Sequence, residues 1–86
     1  MAEPTLYLVF LGGDPAPGRL GEDHEVVVVV ADDLKSARAA ARKKWTGVGR
    51  AHVDAIRPLT VADGYSISLS HTGASDELEI DNTFEP

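Results

Sequence analysis

Two histidines and two carboxylates occupy alternate positions in two segments that have the composition of β-strands. Glu22 and His24 are two residues apart, and so are His52 and Asp54. Because side chains at positions i and i+2 of a strand point to the same face, each pair shares one face of its strand. If the two strands are neighbours, the imidazoles and carboxylates converge. Nitrogen and oxygen ligands of this kind suit zinc, iron or manganese.

Two interpretations of these four residues stay open. Alternating polar residues are typical of any half-exposed strand, and the four side chains then form a hydrogen-bonded network without a cofactor. The alternative is a divalent metal or hydrolytic site, with Arg19 or Tyr65 orienting a small anionic ligand. The chain has no cysteine, so thiolate chemistry and cysteine-bound metals are excluded. The sequence does not decide whether the protein is an enzyme, and it identifies no catalytic residue.

Other polar or glycine-rich segments carry less chemical information. Gly12 and Gly13 lack the spacing of a nucleotide-binding loop, so we interpret them as a strand end that needs unusual backbone angles. Six of the eight cations fall within residues 35–50, which predicts a solvated helix face. An acidic partner, or the chain's own acidic C-terminus, is the alternative for that face. Trp45 is predicted to belong to the core.

The elements that position these residues follow from hydrophobic periodicity. Strands are predicted at about residues 5–11, 23–30, 51–58 and 65–69, and a helix between the second and third strands. Asp32 and Asp33 suit the helix N-terminus, and Gly47 suits its C-terminal cap. In the third strand, alternation places His52, Asp54 and Ile56 on one face. The predicted fold is a two-layer α+β domain, in which one helix covers one face of a mostly antiparallel four-stranded sheet.

The second strand contains five consecutive valines. Alternation directs Val26, Val28 and Val30 to one face and Val27 and Val29 to the other. Because both faces are apolar, we predict that this strand is central and covered on both sides. One helix covers one face only, so a second copy of the chain is the simplest cover for the other. The candidate dimer interface is therefore Val26, Val27, Val28, Val29 and Val30.

Length and charge bound the class of protein. Eighty-six residues allow one domain, which we place at residues 1–70. Residues 71–86 form an acidic tail that is partly mobile or adds a short edge strand. The net charge of −6 argues against nucleic acid and anionic membranes as partners. The longest apolar run, residues 26–31, is far shorter than a membrane span. Without a recognisable signal peptide, we expect a cytoplasmic protein.

Five short motifs then occur in a characteristic order. They are Leu11-Gly12-Gly13, Glu22-x-His24-Glu25, Trp45-x-Gly47, His52-Val53-Asp54 and Asp63-Gly64-Tyr65. Over about residues 6–69 the chain resembles a bacterial domain-of-unknown-function family, number 1543. Some relatives carry the domain twice, which implies a unit that prefers a partner copy. The resemblance implies no reaction, and residues 75–86 are not part of the pattern.

The function expected from the sequence is that of a homodimeric structural or interaction module of unassigned activity. Its protein partner, if any, is not identified, and no cofactor is expected. The alternative is a metal-binding or hydrolytic site that uses Glu22, His24, His52 and Asp54.

Overall fold

The computed structural model describes residues 3–15, 17–18 and 20–73. Three longer strands, one helix and a short two-stranded hairpin follow one another along the chain. They are β1 (Thr5–Asp14), β2 (Asp23–Ala31), α1 (Leu34–Lys43), β3 (Val48–Pro58), β4 (Val61–Ala62) and β5 (Tyr65–Ser66). The helix packs on one face of an antiparallel sheet formed by β1, β2 and β3. The predicted α+β class with one helix is confirmed.

The central strand of this sheet is β1, because the strand order is β2-β1-β3. The prediction that the valine strand is central is therefore wrong. Apolar residues on both faces of a strand report what lies above and below the sheet, whereas a central position depends on pairing along both edges. β1 alternates in the same way: Tyr7, Val9 and Leu11 are buried under the helix, and Phe10 lies on the opposite face.

The predicted fourth strand does not join the main sheet. Tyr65–Ser66 pairs with Val61–Ala62 in a separate hairpin. Asp63 and Gly64, its two turn residues, both have positive φ angles, of 51° and 83°. Such two-residue turns favour pairing between the strands that flank them, and Asp-Gly is a preferred sequence for them. Within the described residues the main sheet therefore has three strands instead of four. Of the predicted acidic tail, residues 74–86 lie outside the described residues.

The helix begins at the predicted acidic residues but ends before the predicted glycine. The Asp33 carboxylate accepts a hydrogen bond of 2.8 Å from the Ser36 backbone N–H, and this bond, together with the Ser36 hydroxyl, holds the pKa of Asp33 below its ordinary value. At the other end, the Lys44 N–H donates to the Ala41 carbonyl, a tighter i to i+3 bond that closes the last turn. Gly47 is therefore not the cap. The Lys44 ammonium also donates to the backbone carbonyl of Val28, on the edge strand β2.

The core lies between the helix and one face of the sheet. Its fully buried members include Val9 and Leu11 of β1 and Ala37 and Ala41 of α1, while Trp45 is half-buried against them. The opposite face of the sheet, here called the open face, is not covered by any element that the structure describes. Its exposed apolar side chains are Phe10, Val26, Val28 and Val30, each about half accessible to solvent. The valine side chains of β2 thus point alternately to the core and to the open face.

A β-bulge interrupts β3 at Asp54. Val53 pairs with Leu11 and Ala55 pairs with Phe10, so Asp54 is the extra residue between them. The bulge reverses the alternation that follows it. Ile56, predicted on the face of His52 and Asp54, instead packs against the core, as Val53 does. The prediction for Ile56 is wrong because simple alternation cannot anticipate an inserted residue.

Candidate functional site

Glu22, His24, His52 and Asp54 come together at one end of the open face. Their strands are not neighbours, because β1 lies between β2 and β3. His24 and His52 are nevertheless both paired with the same residue of β1, Gly12. A glycine has no side chain, so the two imidazoles can approach each other above it. We call these four residues the His-carboxylate cluster.

The histidine nitrogens and the carboxylate oxygens of the cluster lie at ion-pair distances from one another. His52 Nε2 lies 2.9 Å from Asp54 Oδ1 and 3.8 Å from Glu22 Oε2. His24 Nε2 lies 3.6 Å from Glu22 Oε2 and 3.9 Å from Asp54 Oδ2. Each imidazole therefore faces both carboxylates. The four side chains are 39–63% exposed, so a dissolved ion can reach them directly.

Gly12 forms the floor of the cluster. A Cβ atom built on this residue would lie 2.7 Å from Asp54 Oδ2 and 2.9 Å from His52 Nε2. The next residue, Gly13, faces the helix side of the sheet. A Cβ atom built on it would lie 2.7 Å from Trp45 Cζ2. Neither glycine has a positive φ, so the expected need for unusual backbone angles is wrong. Both positions instead require glycine because other groups approach the backbone closely.

The bulge supplies the fourth side chain. As the residue without a partner on β1, Asp54 places its carboxylate next to His52 above the sheet. Bulges commonly redirect a side chain toward a site. From three cluster residues, Glu22, His24 and Asp54, one ligand atom each lies within 4.8 Å of the others, which is a spacing that one metal ion can span. His52 Nε2 extends this set through its close contact with Asp54.

A second carboxylate next to the cluster has a structural role. Glu25 accepts hydrogen bonds from the Thr46 backbone N–H, at 3.2 Å, and from the Thr46 hydroxyl. These bonds attach the chain that follows the helix to β2. A recess of about 510 Å³ lies beside this contact. It is lined by Glu22, Asp23, His24, Glu25, Thr46, Gly47 and Val48. Two of the four cluster residues, Glu22 and His24, therefore border a recess large enough for a small ligand.

The remaining candidates lie apart from the cluster or outside the described part of the chain. Tyr65 is 76% exposed in the hairpin, and Arg19 is not among the described residues. Trp45 packs against the core, as predicted, and its Nε1 donates to the Val48 carbonyl at 3.4 Å. The cationic residues Arg42, Lys43 and Arg50 line a shallow groove of about 320 Å³ beside that indole.

Gly12 and Glu25 have roles in the structure that the sequence analysis did not predict. Gly12 was assigned to a strand end, although a glycine within a β-pattern is itself a sign of close backbone approach. Glu25 appeared only as part of a motif, and its bond to Thr46 joins segments 21 residues apart. Nothing in local spacing predicts such a contact.

The fold and the cluster define a small α+β domain with a polar site at one end of a largely apolar sheet face. The model of the family Domain of Unknown Function (DUF1543) matches residues 19–69, which is more than half of the chain. The chain belongs to this family. The match includes all four cluster residues, whereas Gly12 and Gly13 precede it.

No curated protein and no solved structure matches the chain. Within the described residues, no helix combines the length and the apolar character that crossing a membrane requires.

Proposed function

We propose that this chain is a divalent-metal-binding domain whose ligands are Glu22, His24, His52 and Asp54. The observation that carries the proposal is the meeting of two histidine–carboxylate pairs, from strands that are not neighbours, above Gly12. Because Gly12 has no side chain, all four side chains can approach one region above β1. A metal ion requires such space, because its ligands must all approach one point.

The donor set indicates the class of metal. Two imidazole nitrogens and two carboxylate oxygens form a mixed set that suits zinc, manganese or iron better than calcium or magnesium, which prefer oxygen alone. An imidazole binds a metal only through a nitrogen that carries no proton, so metal affinity should rise with pH. The exposed side of the cluster leaves room for water on the ion, which is the first requirement of metal-assisted hydrolysis.

The test is metal binding by protein purified without an affinity-tag metal column. Calorimetric titration with zinc should show one ion per chain, and His52→Ala should weaken binding at least about tenfold, because a ligand costs more than the outer-shell changes that lose about 10–100-fold. His71→Ala is the matched control, since His71 is exposed and is not part of the cluster. Wild-type protein that binds no zinc, manganese or iron would refute the proposal, as would equal affinities for the two variants.

A second candidate function is that of a homodimeric structural module that pairs through its open face. The supporting observation is the exposed apolar surface of Phe10, Val26, Val28 and Val30, which continues across the sheet to Ala55. Contiguous apolar surface of this kind usually marks an interface. Of the five valines proposed for the interface, Val27 and Val29 pack toward the helix, so the proposal is narrowed to the other three.

Val28→Asp tests this pairing. The side chain of Val28 is about half exposed, so the aspartate remains hydrated in a monomer, whereas a dimer would remove its carboxylate from water between two sheets. We expect a wild-type dimer and a folded Val28→Asp monomer in size-exclusion chromatography with light scattering. Val61→Asp, at an exposed valine of the hairpin, is the control that should remain dimeric. A folded wild-type monomer would contradict this second function.

A further inference from the structure

The open face carries opposite charges at its two ends. In the paired rows of β1 from Leu6 to Phe10, Arg57 is the one charged residue on this face, next to Leu8. The His-carboxylate cluster lies around Gly12, which is two residues beyond Phe10 along β1. These two positions are about 13 Å apart along the strand, with the row of Phe10, Val26 and Ala55 midway between them. Arg57 is exposed and has no salt bridge to any residue that the structure describes.

The symmetry of a face-to-face dimer determines what each end meets. A two-fold axis that lies between the sheets and crosses the strands reverses the strand direction and places β3 over β3. When this axis passes through the row of Phe10 and Ala55, Arg57 of each copy lies over the row of His52 and Asp54. Aligned sheets deviate from this picture by a rotation of about 30°, which displaces a row two residues from the axis by about 3 Å, a distance that a long arginine side chain can span.

The other two-fold arrangement is electrostatically unfavourable. An axis parallel to the strands places β3 over β2, so that Arg57 lies over the partner subunit's Val28. A guanidinium would then be buried against an apolar surface without a hydrogen-bond partner, which costs free energy. The cluster of one copy would lie over the cluster of the other, so carboxylates would face carboxylates and neither cluster would meet Arg57. Charge complementarity therefore favours the arrangement in which the strands of the two copies run in opposite directions.

We infer that a second copy of the chain covers the open face in this antiparallel arrangement and that the partner's Arg57 completes the His-carboxylate cluster by donating to Asp54. This inference rests on the homodimer proposed above. Each dimer forms the contact twice. Ligating carboxylates are themselves usually hydrogen-bonded, so a guanidinium on the outer oxygen of Asp54 is compatible with a metal held by the cluster.

The experiment is sedimentation equilibrium in EDTA, so that metal binding does not enter. Arg57→Asp brings like charges together at both ends and should weaken dimerisation at least about tenfold. Arg57→Gln, which removes only the charge, should have a smaller effect in the same direction. Arg38→Asp, an equal change of charge on the exposed side of the helix, should leave the dimer unchanged. Exchanging the charges in Arg57→Asp/Asp54→Arg should restore the dimer to within about threefold of the wild type.

Each result separates this inference from the functions on which it depends. A wild-type dimer that Arg57→Asp and Arg38→Asp affect equally would overturn the role of Arg57 while the homodimer stands. Failure of the exchanged pair to restore association would overturn the assignment of Asp54 as its partner. A wild-type monomer would refute both the homodimer and this inference, whereas zinc binding by that monomer would still support the metal site.

Discussion

An alanine at Gly13 should lower the free energy of unfolding by about 2 kcal/mol, because its methyl group has no space in a packed region. A Cβ at this position would lie 2.7 Å from the ring of Trp45 and 3.2 Å from the Arg50 carbonyl oxygen. The indole is packed against the core, and the carbonyl belongs to the backbone of β3, so neither can move without displacing its neighbours. Urea unfolding followed by tryptophan fluorescence measures the loss.

The neighbouring change, Gly12→Ala, is the matched control. Its methyl group meets the ends of the Asp54 and His52 side chains, which are exposed and can rotate away. Stability should therefore change little, since alanine also restricts the unfolded chain and can add about 0.4–1 kcal/mol. Zinc affinity should fall, because the displaced ligands no longer converge. Equal losses of stability at the two glycines would contradict the assignment of one glycine to each face of the sheet.

Leu11→Ala should cost about 3 kcal/mol, the largest effect that we expect from a single substitution in this chain. Leu11 is fully buried between the central strand and the helix, and its truncation leaves a cavity that the surrounding backbone fills only partly. A domain of this size has a total stability of about 5–15 kcal/mol, so the loss is a large fraction. The midpoint of urea unfolding should shift strongly while its slope stays the same.

Phe10→Ala provides the comparison for this truncation. Phe10 is adjacent to Leu11 in sequence but lies on the open face, where 42% of it is exposed. At concentrations low enough to keep the chain monomeric, its replacement should cost clearly less than that of Leu11. At higher concentrations the same variant should associate less than the wild type. If Phe10→Ala proved as destabilising as Leu11→Ala in the monomer, the open face would have to be part of the folded core.

Local patterns predicted the elements better than their arrangement. The segments of β1, β2 and β3 and the helix start at Asp33 follow from alternation and from capping chemistry, which depend on neighbours in sequence. The position of β2 at an edge did not follow, because hydrophobic alternation describes the faces of a strand and not its edges. The separate hairpin depends on competition between a local turn and a distant strand, which composition does not resolve.

The cluster illustrates the same division. Its four residues were identified from their types and their spacing of two, but their proximity was expected only if β2 and β3 were neighbours. The structure brings them together through Gly12 of the intervening strand. The face occupied by Asp54 was predicted by alternation, whereas the bulge that leaves it without a partner on β1 was not. That detail depends on register, which is a property of the folded sheet.

The bond from Lys44 to the Val28 carbonyl has a consequence for the solubility of the chain. β2 is an edge strand rich in valine, and such an edge can recruit strands from other molecules into growing fibrils. The lysine occupies a backbone acceptor on β2 and brings a charge beside it. Lateral growth through this edge is thereby obstructed. The exposed apolar residues then lie on a face, and in the dimer proposed above association through that face would stop at a closed pair.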